Sequence, residues 1–128
     1  MNEELNNRKT FKQDFKKRCF FFSLSILKIS ELLREKRINW ILIDQLVRSA
    51  TSIGANIVEG GNSTSKKEFI NYFQIALKSS SETLYWLSLL RETNPSHKLD
   101  IEILIKECIE IKKIISTIIL NTKSNSKL

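Results

Sequence analysis

A series of polar side chains repeats at helical spacing in the middle of the sequence. Gln45, Arg48, Ser52, Asn56 and Glu59 are three or four residues apart, which places them on one face of a helix. One interpretation is an enzyme site that combines this face with carboxylates of the next helix, and it requires an accessible pocket lined by the four groups Arg48, Glu59, Glu68 and Glu82.

The interpretation that we favour is a structural polar network. Apolar rows flank the series, so we expect it to be at least half buried, and a buried arginine needs a carboxylate partner. Asp44 lies four residues before Arg48 and could pair with it. Such a network would fix helix register or subunit pairing. The predicted polar seam comprises Asp44, Gln45, Arg48, Ser52, Asn56, Glu59, Glu68 and Glu82.

The same segment contains all three glycines of the chain and two of its three alanines, and it ends in GANIVEGG. It lacks the GxxxxGK[ST] order of a phosphate loop, and its glycines follow a helix rather than precede one. We prefer a helix end and a cap over an anion site near Lys66 and Lys67. Gly60 and Gly61 should supply the left-handed residue that closes the helix. The other small residues leave room for close helix packing.

A basic cluster precedes this segment. The chain has a formal net charge of +7, and residues 1–37 hold ten Lys and Arg against five Asp and Glu. The cluster is either a phosphate-contacting surface or an ordinary solvated N-terminus. No RNA-recognition or recognition-helix motif accompanies it, so binding would be mainly electrostatic. The candidate nucleic-acid contacts are Arg8, Lys9, Lys12, Lys16, Lys17 and Arg18.

Other chemistry is scarce in the sequence. The single histidine, His97, follows a proline, and Cys19 and Cys108 lack the spacing of a zinc site. We therefore expect no enzyme activity, no metal and no cofactor, and two buried, reduced thiols. The apolar run after Arg18 is interrupted by Lys28 and lacks a cleavage site, so we expect neither a signal peptide nor a membrane span, and a cytoplasmic protein.

Apolar residues recur at helical spacing along most of the chain, and proline and glycine are rare. The pattern predicts an all-α fold, an antiparallel up-down-up-down four-helix bundle forming one domain over residues 1–128. Ser65 and Glu68 form a capping-box sequence at the third helix. The sequence from Lys123 onward should be a frayed tail. The predicted helices cover about residues 11–36, 39–60, 65–92 and 98–121.

The apolar stripes are wider than a lone bundle requires. Trp40, Tyr72 and Trp86 lie beside the main stripes of the second and third helices. Another copy of the chain is the simplest partner for this excess surface, so we predict a homo-oligomer.

Two motifs carry a resemblance to a known family. Residues 44–60, DQLVRSATSIGANIVEG, resemble the core motif of the small bacterial four-helix-bundle proteins found in intervening sequences of 23S rRNA genes, also called the S23 ribosomal protein family. Glu68-Phe69, Ile75-Ala76, Ser79 and Glu82 resemble the second motif of that family. The likeness covers about residues 38–90, whereas the Phe-rich first helix and Lys78 depart from the family pattern.

The resemblance implies an up-down bundle that is often assembled as a pentameric ring. A similar bundle is the accessory protein of diversity-generating retroelements, where it binds nucleic acid and a reverse transcriptase. Our leading hypothesis is a non-enzymatic, homo-oligomeric bundle that binds RNA or DNA electrostatically, as an accessory to a nucleic-acid-processing protein. The alternative is a protein-interaction scaffold without a nucleic-acid role.

Overall fold

Four long helices dominate the computed structural model, which describes residues 2–125. They are α1 (Asn2–Leu33), α2 (Trp40–Gly61), α3 (Lys66–Thr93) and α4 (Lys98–Ser124). Short 3-10 helices, Arg37–Asn39 and Pro95–His97, precede α2 and α4. The described residues contain no strand, which confirms the all-α prediction.

The four helices pack in a closed ring, in which α1 and α3 each contact both α2 and α4. Between α2 and α3, Ser49 meets Thr83 while Ser52 meets Ser79, so residue numbers rise along one helix and fall along the other. This order is that of two antiparallel helices, and the packing as a whole is that of a four-helix bundle.

The core consists of the predicted apolar stripes. The main stripe of α1 is buried at every position, namely Phe15, Cys19, Phe22, Ile26, Ile29 and Leu33. The stripe of α4 is buried at Ile101, Leu104, Cys108, Ile111, Ile115 and Ile119. A second apolar row of α1, formed by Phe20, Leu24 and Leu27, is different, because Phe20 and Leu27 are 62% and 46% exposed. It therefore forms part of the outer surface of the chain.

The start of α1 differs most from the predicted bounds. The helix begins at Asn2 rather than near Phe11, and every residue from 2 to 14 is exposed. These turns have no continuous apolar stripe, so the periodicity that located the other helices has no counterpart here. At the opposite terminus, α4 includes Lys123 and Ser124, which we expected to be frayed, while residues 126–128 of that tail lie outside the described residues.

The connection between α2 and α3 corrects the prediction for Gly60 and Gly61. No glycine of the chain has a positive φ, so neither residue supplies a left-handed helix end. Instead, the amides of Asn62 and Ser63 donate to the carbonyls of Glu59 and Gly60, both at 3.1 Å. Gly60 is small for another reason. A Cβ at this position would lie 2.8 Å from the ring of Phe73, so the absence of a side chain lets α2 approach α3.

Two buried asparagines connect the turns at the other end of the bundle. Asn39 Nδ2 donates to Asn94 Oδ1 at 2.8 Å, and Asn94 Nδ2 donates back to Asn39 Oδ1 at 3.2 Å. Each amide also donates to a main-chain carbonyl, of Leu33 and of Leu90 respectively. The pair satisfies polar groups that would otherwise be costly to bury, and it links the α1–α2 turn to the α3–α4 turn.

Candidate nucleic-acid interface

A cleft of about 930 Å³ opens at the end of the bundle where α1 begins. Its walls are the first turns of α1, the connection from α2 to α3 and the last turns of α4. Buried apolar side chains form the floor, among them Phe15, Ile57 and Phe73. We call this site the terminal cleft.

Four cationic residues line the terminal cleft. Arg8, Lys12 and Lys16 are spaced four apart on α1, so they follow one another along a single helix face. Lys66, the first residue of α3, joins them from the opposite wall. Among the described residues that line the cleft, Glu4 is the only carboxylate. It pairs with Arg8 at 2.9 Å, and both side chains are largely exposed.

The other three predicted contacts lie elsewhere. Lys9 and Lys17 are exposed on α1 but do not line the cleft. Arg18 lies outside the cleft, and its guanidinium donates two hydrogen bonds of 2.7 Å to the carboxylate of Glu107 on α4. The hydrogen bond to Glu107 also raises the pKa of Arg18. Its charge is therefore paired with a carboxylate of the same chain, whereas a phosphate contact at Arg18 stays a prediction.

Two pairs of stacked rings lie in the same cleft. Phe11 stacks on Phe15 with ring centroids 6.5 Å apart and planes inclined by 11°. Phe69 stacks on Phe73 with centroids 4.2 Å apart and planes inclined by 22°. In each pair the second ring is buried, whereas Phe11 is 52% exposed. Phe11 was not among the predicted site residues, although its spacing of four from Phe15 places both rings on one helix face.

The α2–α3 connection forms one wall of the cleft through Ser63, Thr64 and Ser65. The hydroxyl of Ser65 accepts a hydrogen bond from the Glu68 amide at 3.1 Å, which confirms Ser65 as the N-cap of α3. The Glu68 carboxylate makes no returning hydrogen bond to any described residue, so only half of the predicted capping box forms. Lys66 Nζ donates to the carbonyl of Asn125 at 2.9 Å, which ties this wall to the end of α4.

The predicted polar seam is only partly assembled. Ser52 Oγ lies 2.9 Å from Ser79 Oγ, and Asn56 Nδ2 donates to Ser52 Oγ at 3.0 Å. Further along the same interface, Thr83 Oγ1 donates to Ser49 Oγ at 3.0 Å. Small hydroxyl side chains therefore join α2 to α3, and Ser79 and Thr83 belong to this network although the seam did not include them.

The charged members of the seam are not buried, and this corrects our expectation. Asp44 pairs with Arg34 at 3.2 Å rather than with Arg48. Arg48 and Glu59 are exposed, as are Glu68 and Glu82, and none of these four makes an ion pair within residues 2–125. Gln45 is half-buried. Small residues fill the interface between α2 and α3. The charged side chains of this face lie outside the interface and remain in solvent.

These four charged groups also do not line the terminal cleft or the second cleft, which lies between α1 and α4. Neither cleft is therefore the pocket, lined by these four groups, that the enzyme interpretation requires. In the part of the chain that the structure describes, no group of three or more His, Cys, Asp or Glu side chains could hold a metal ion.

The two thiols are buried in the core, and both cysteines are free. Burial raises the pKa of Cys19 to about 12 and that of Cys108 to about 12, because the charged thiolate loses its solvation. His97 ends the 3-10 helix before α4 and is half-buried. None of the described helices has an apolar stretch long enough to span a bilayer.

Comparison with known proteins identifies the family of the chain. Residues 12–117 match the family described as 23S rRNA-intervening sequence protein. The chain belongs to this family. The match begins at Lys12, so the first turns of α1, including Arg8 and Phe11, lie outside it.

A solved relative agrees with the family assignment. It is a protein with unknown function from the S23 ribosomal protein family of Bacteroides thetaiotaomicron, with a crystal structure at 1.70 Å resolution. This chain is 35% identical to it, with a TM-score of 0.77, and the match covers 82% of this chain and 97% of the relative. No match to the sequence was found among the curated proteins. The fold of this chain is therefore similar to that of a solved relative whose function is unknown.

Proposed function

We propose that this chain is a non-enzymatic, cytoplasmic protein that binds RNA or DNA through phosphate contacts at the terminal cleft. The observation that supports the proposal is the convergence of Arg8, Lys12 and Lys16 with Lys66 around one opening. The first three share a face of α1, and the fourth comes from a different helix. A solvated N-terminus requires no such convergence.

The charge balance of the cleft favours an anionic ligand. Four cations line it against the single carboxylate of Glu4. The Glu4–Arg8 pair is exposed, with side chains 70% and 67% accessible, so it contributes little stability and can be replaced by a phosphate contact. Lys66 uses one of its three donors on the Asn125 carbonyl, which positions the ammonium group and leaves its charge available.

A salt titration tests this proposal. A labelled single-stranded oligonucleotide is titrated with the protein, and fluorescence anisotropy gives the affinity at several salt concentrations. Four phosphate contacts predict a slope of about −3 for log K against log salt, so that affinity falls roughly fiftyfold between ~50 and ~200 mM salt. Absence of binding at low salt, or an affinity that salt does not change, would contradict the proposal.

A second candidate function is protein interaction, and exposed apolar side chains favour it. A second cleft of about 600 Å³ lies between α1 and α4, where Phe21 and Ile103 are 61% and 66% exposed. We propose that apolar surface of this kind supports self-association and contact with a nucleic-acid-processing protein such as a reverse transcriptase. Exposed apolar patches commonly mark such interfaces.

Mass measurement addresses the self-association. Five subunits of 14.9 kDa give a pentamer of about 75 kDa, and light scattering distinguishes this mass from that of a monomer. A monomeric mass at micromolar concentration would contradict the predicted homo-oligomer. A protein partner that remains bound after nuclease treatment and at high salt would favour the scaffold function over nucleic-acid binding.

A further inference from the structure

The terminal cleft has a property that phosphate binding alone does not require. Each of its two more accessible rings, Phe11 and Phe69, lies against a buried ring four residues later in the same helix. Phe15 and Phe73 are 5% and 4% exposed, so each accessible ring has a buried ring as its neighbour. An aromatic ring offers a flat surface to a ligand at a low entropic cost, because its side chain has only two rotatable bonds.

The position of Phe11 is not explained by the core of this chain. Its side chain is 52% exposed, although it lies within a cleft whose floor is apolar. Arg8 and Lys12 line the same cleft on the same helix. An exposed aromatic ring between cations is the combination with which proteins bind single strands, because bases stack on the ring while cations hold the phosphates.

We propose that the terminal cleft binds unpaired bases of a single-stranded nucleic acid, with one base stacked on Phe11. This inference rests on the proposed function and adds a preference for single strands over duplexes. Lys12 and Lys16 hold the phosphates beside the stacked base, and Phe69 forms the opposite aromatic wall. A base inside a duplex is already stacked on both faces and cannot enter the cleft without being unpaired.

The size and polarity of the cleft agree with this occupant. Its volume of about 930 Å³ lies within the range of small-ligand sites, roughly 300–1,000 Å³, and exceeds what a phosphate group alone would fill. Ser63, Thr64 and Asn121 add hydrogen-bonding groups to the wall. Side chains of this kind can bond to any base edge, so we expect weak sequence preference.

The test separates the bases from the phosphates. An oligothymidylate of about 12 nucleotides is compared with a strand of abasic sites of equal length, which has the same phosphates but no bases. The wild-type chain should bind the oligothymidylate roughly tenfold more tightly than the abasic strand. It should also bind the oligothymidylate more tightly than a duplex of equal length.

Variants then assign the base preference to one ring. Phe11→Leu keeps an apolar side chain but removes the aromatic face, and it should abolish the difference between the two strands. Phe20→Leu is the matched control, since Phe20 lies on the same helix, is 62% exposed and does not line the cleft. It should leave the difference unchanged. The comparison of the two strands needs no variant, so the inference remains testable even if Phe11→Leu fails to fold.

Each result has a distinct meaning. Equal affinity of the wild-type chain for both strands, together with salt dependence, would overturn the stacking inference and leave the proposed function intact. A tenfold preference that survives Phe11→Leu would also overturn it. If neither strand binds at low salt, the proposed function fails and the inference falls with it.

Discussion

The guanidinium of Arg18 and the carboxylate of Glu107 form a two-point ion pair, with both hydrogen bonds at 2.7 Å. The pair joins α1 to α4, and its two residues are 89 positions apart in the sequence. A planar guanidinium matches a carboxylate in this geometry better than an ammonium does. Arg18 therefore acts as a connection between helices, although it sits at the end of the basic cluster.

Replacement of Arg18 should affect stability more than binding. Arg18→Gln should lower the free energy of unfolding by about 0.5–1 kcal/mol, a small value because the side chains are 38% and 33% exposed and solvent screens the pair. Urea denaturation measures the change. Arg34→Gln is the control, since its single hydrogen bond to Asp44 is longer, at 3.2 Å, and more exposed, so it should cost less. A loss of nucleic-acid affinity specific to Arg18→Gln would contradict this role.

Gly60 should tolerate no side chain. Gly60→Ala would place a Cβ 2.8 Å from the ring of Phe73, and this ring cannot move away because it belongs to the core. We expect a destabilisation of about 1–3 kcal/mol in thermal or urea unfolding. At Gly61 an added Cβ would meet only the flexible end of Lys16, at 3.3 Å. Gly61→Ala should therefore be neutral or slightly stabilising, and equal effects of the two variants would argue against the close packing.

The asparagine pair should be sensitive to loss of either member. Asn94→Ala removes the partner of Asn39, which is 1% exposed and would keep an unsatisfied amide oxygen. The expected cost is about 2–3 kcal/mol, measured by urea denaturation. Asn71→Ala is the control, since Asn71 is an exposed asparagine within α3. A double variant, Asn39→Ala with Asn94→Ala, that costs as much as the sum of both single variants would show that the amides are not coupled.

The buried thiols should make stability fall at alkaline pH. The pKa of each thiol is raised from 9.0 to about 12 in the folded chain, so between these values the folded state keeps protons that the unfolded state has lost. The unfolded state is then favoured as pH rises, by about 1.4 kcal/mol per thiol at a pH near 10. A variant with Cys19→Ala and Cys108→Ala should lack this contribution, although its baseline stability is lower. Urea denaturation between pH ~8 and pH ~10 gives the free energy of unfolding of both proteins. If this free energy falls equally with pH in both, the buried thiols do not cause the loss of stability.

Apolar periodicity predicted most of the fold, because a core helix must bury one face. The stripe from Phe15 to Leu33 is an example, since each of its six positions is buried. The same reasoning could not locate the start of α1 at Asn2, where the helix has no core to face. Nor could it show the role of Gly60. A glycine looks the same in the sequence whether it is needed for a turn or for a close contact between helices.

The candidate site was less predictable than the fold. Composition identified the basic cluster, and Arg8, Lys12 and Lys16 were among its members. Their convergence with Lys66 depends on how the α2–α3 connection meets α1, which local patterns do not determine. The compensation of Arg18 by Glu107 is equally non-local. Helical spacing correctly placed Ser52 and Asn56 at a helix interface, but it could not show that the charged residues beside them remain in solvent.

A comparison of two charge-matched variants tests the central claim most directly, namely that the terminal cleft binds nucleic acid. Lys12→Gln with Lys16→Gln removes two cations of the cleft, whereas Lys98→Gln with Lys113→Gln removes two exposed cations of α4 that line neither cleft. Both variants have the same net charge. In salt titrations with a single-stranded oligonucleotide, the cleft variant should lose affinity and its log–log slope should be shallower by about 1.4, while the α4 variant should match the wild-type chain. Equal losses of affinity in both variants would show that binding follows net charge rather than this site, and would contradict the account.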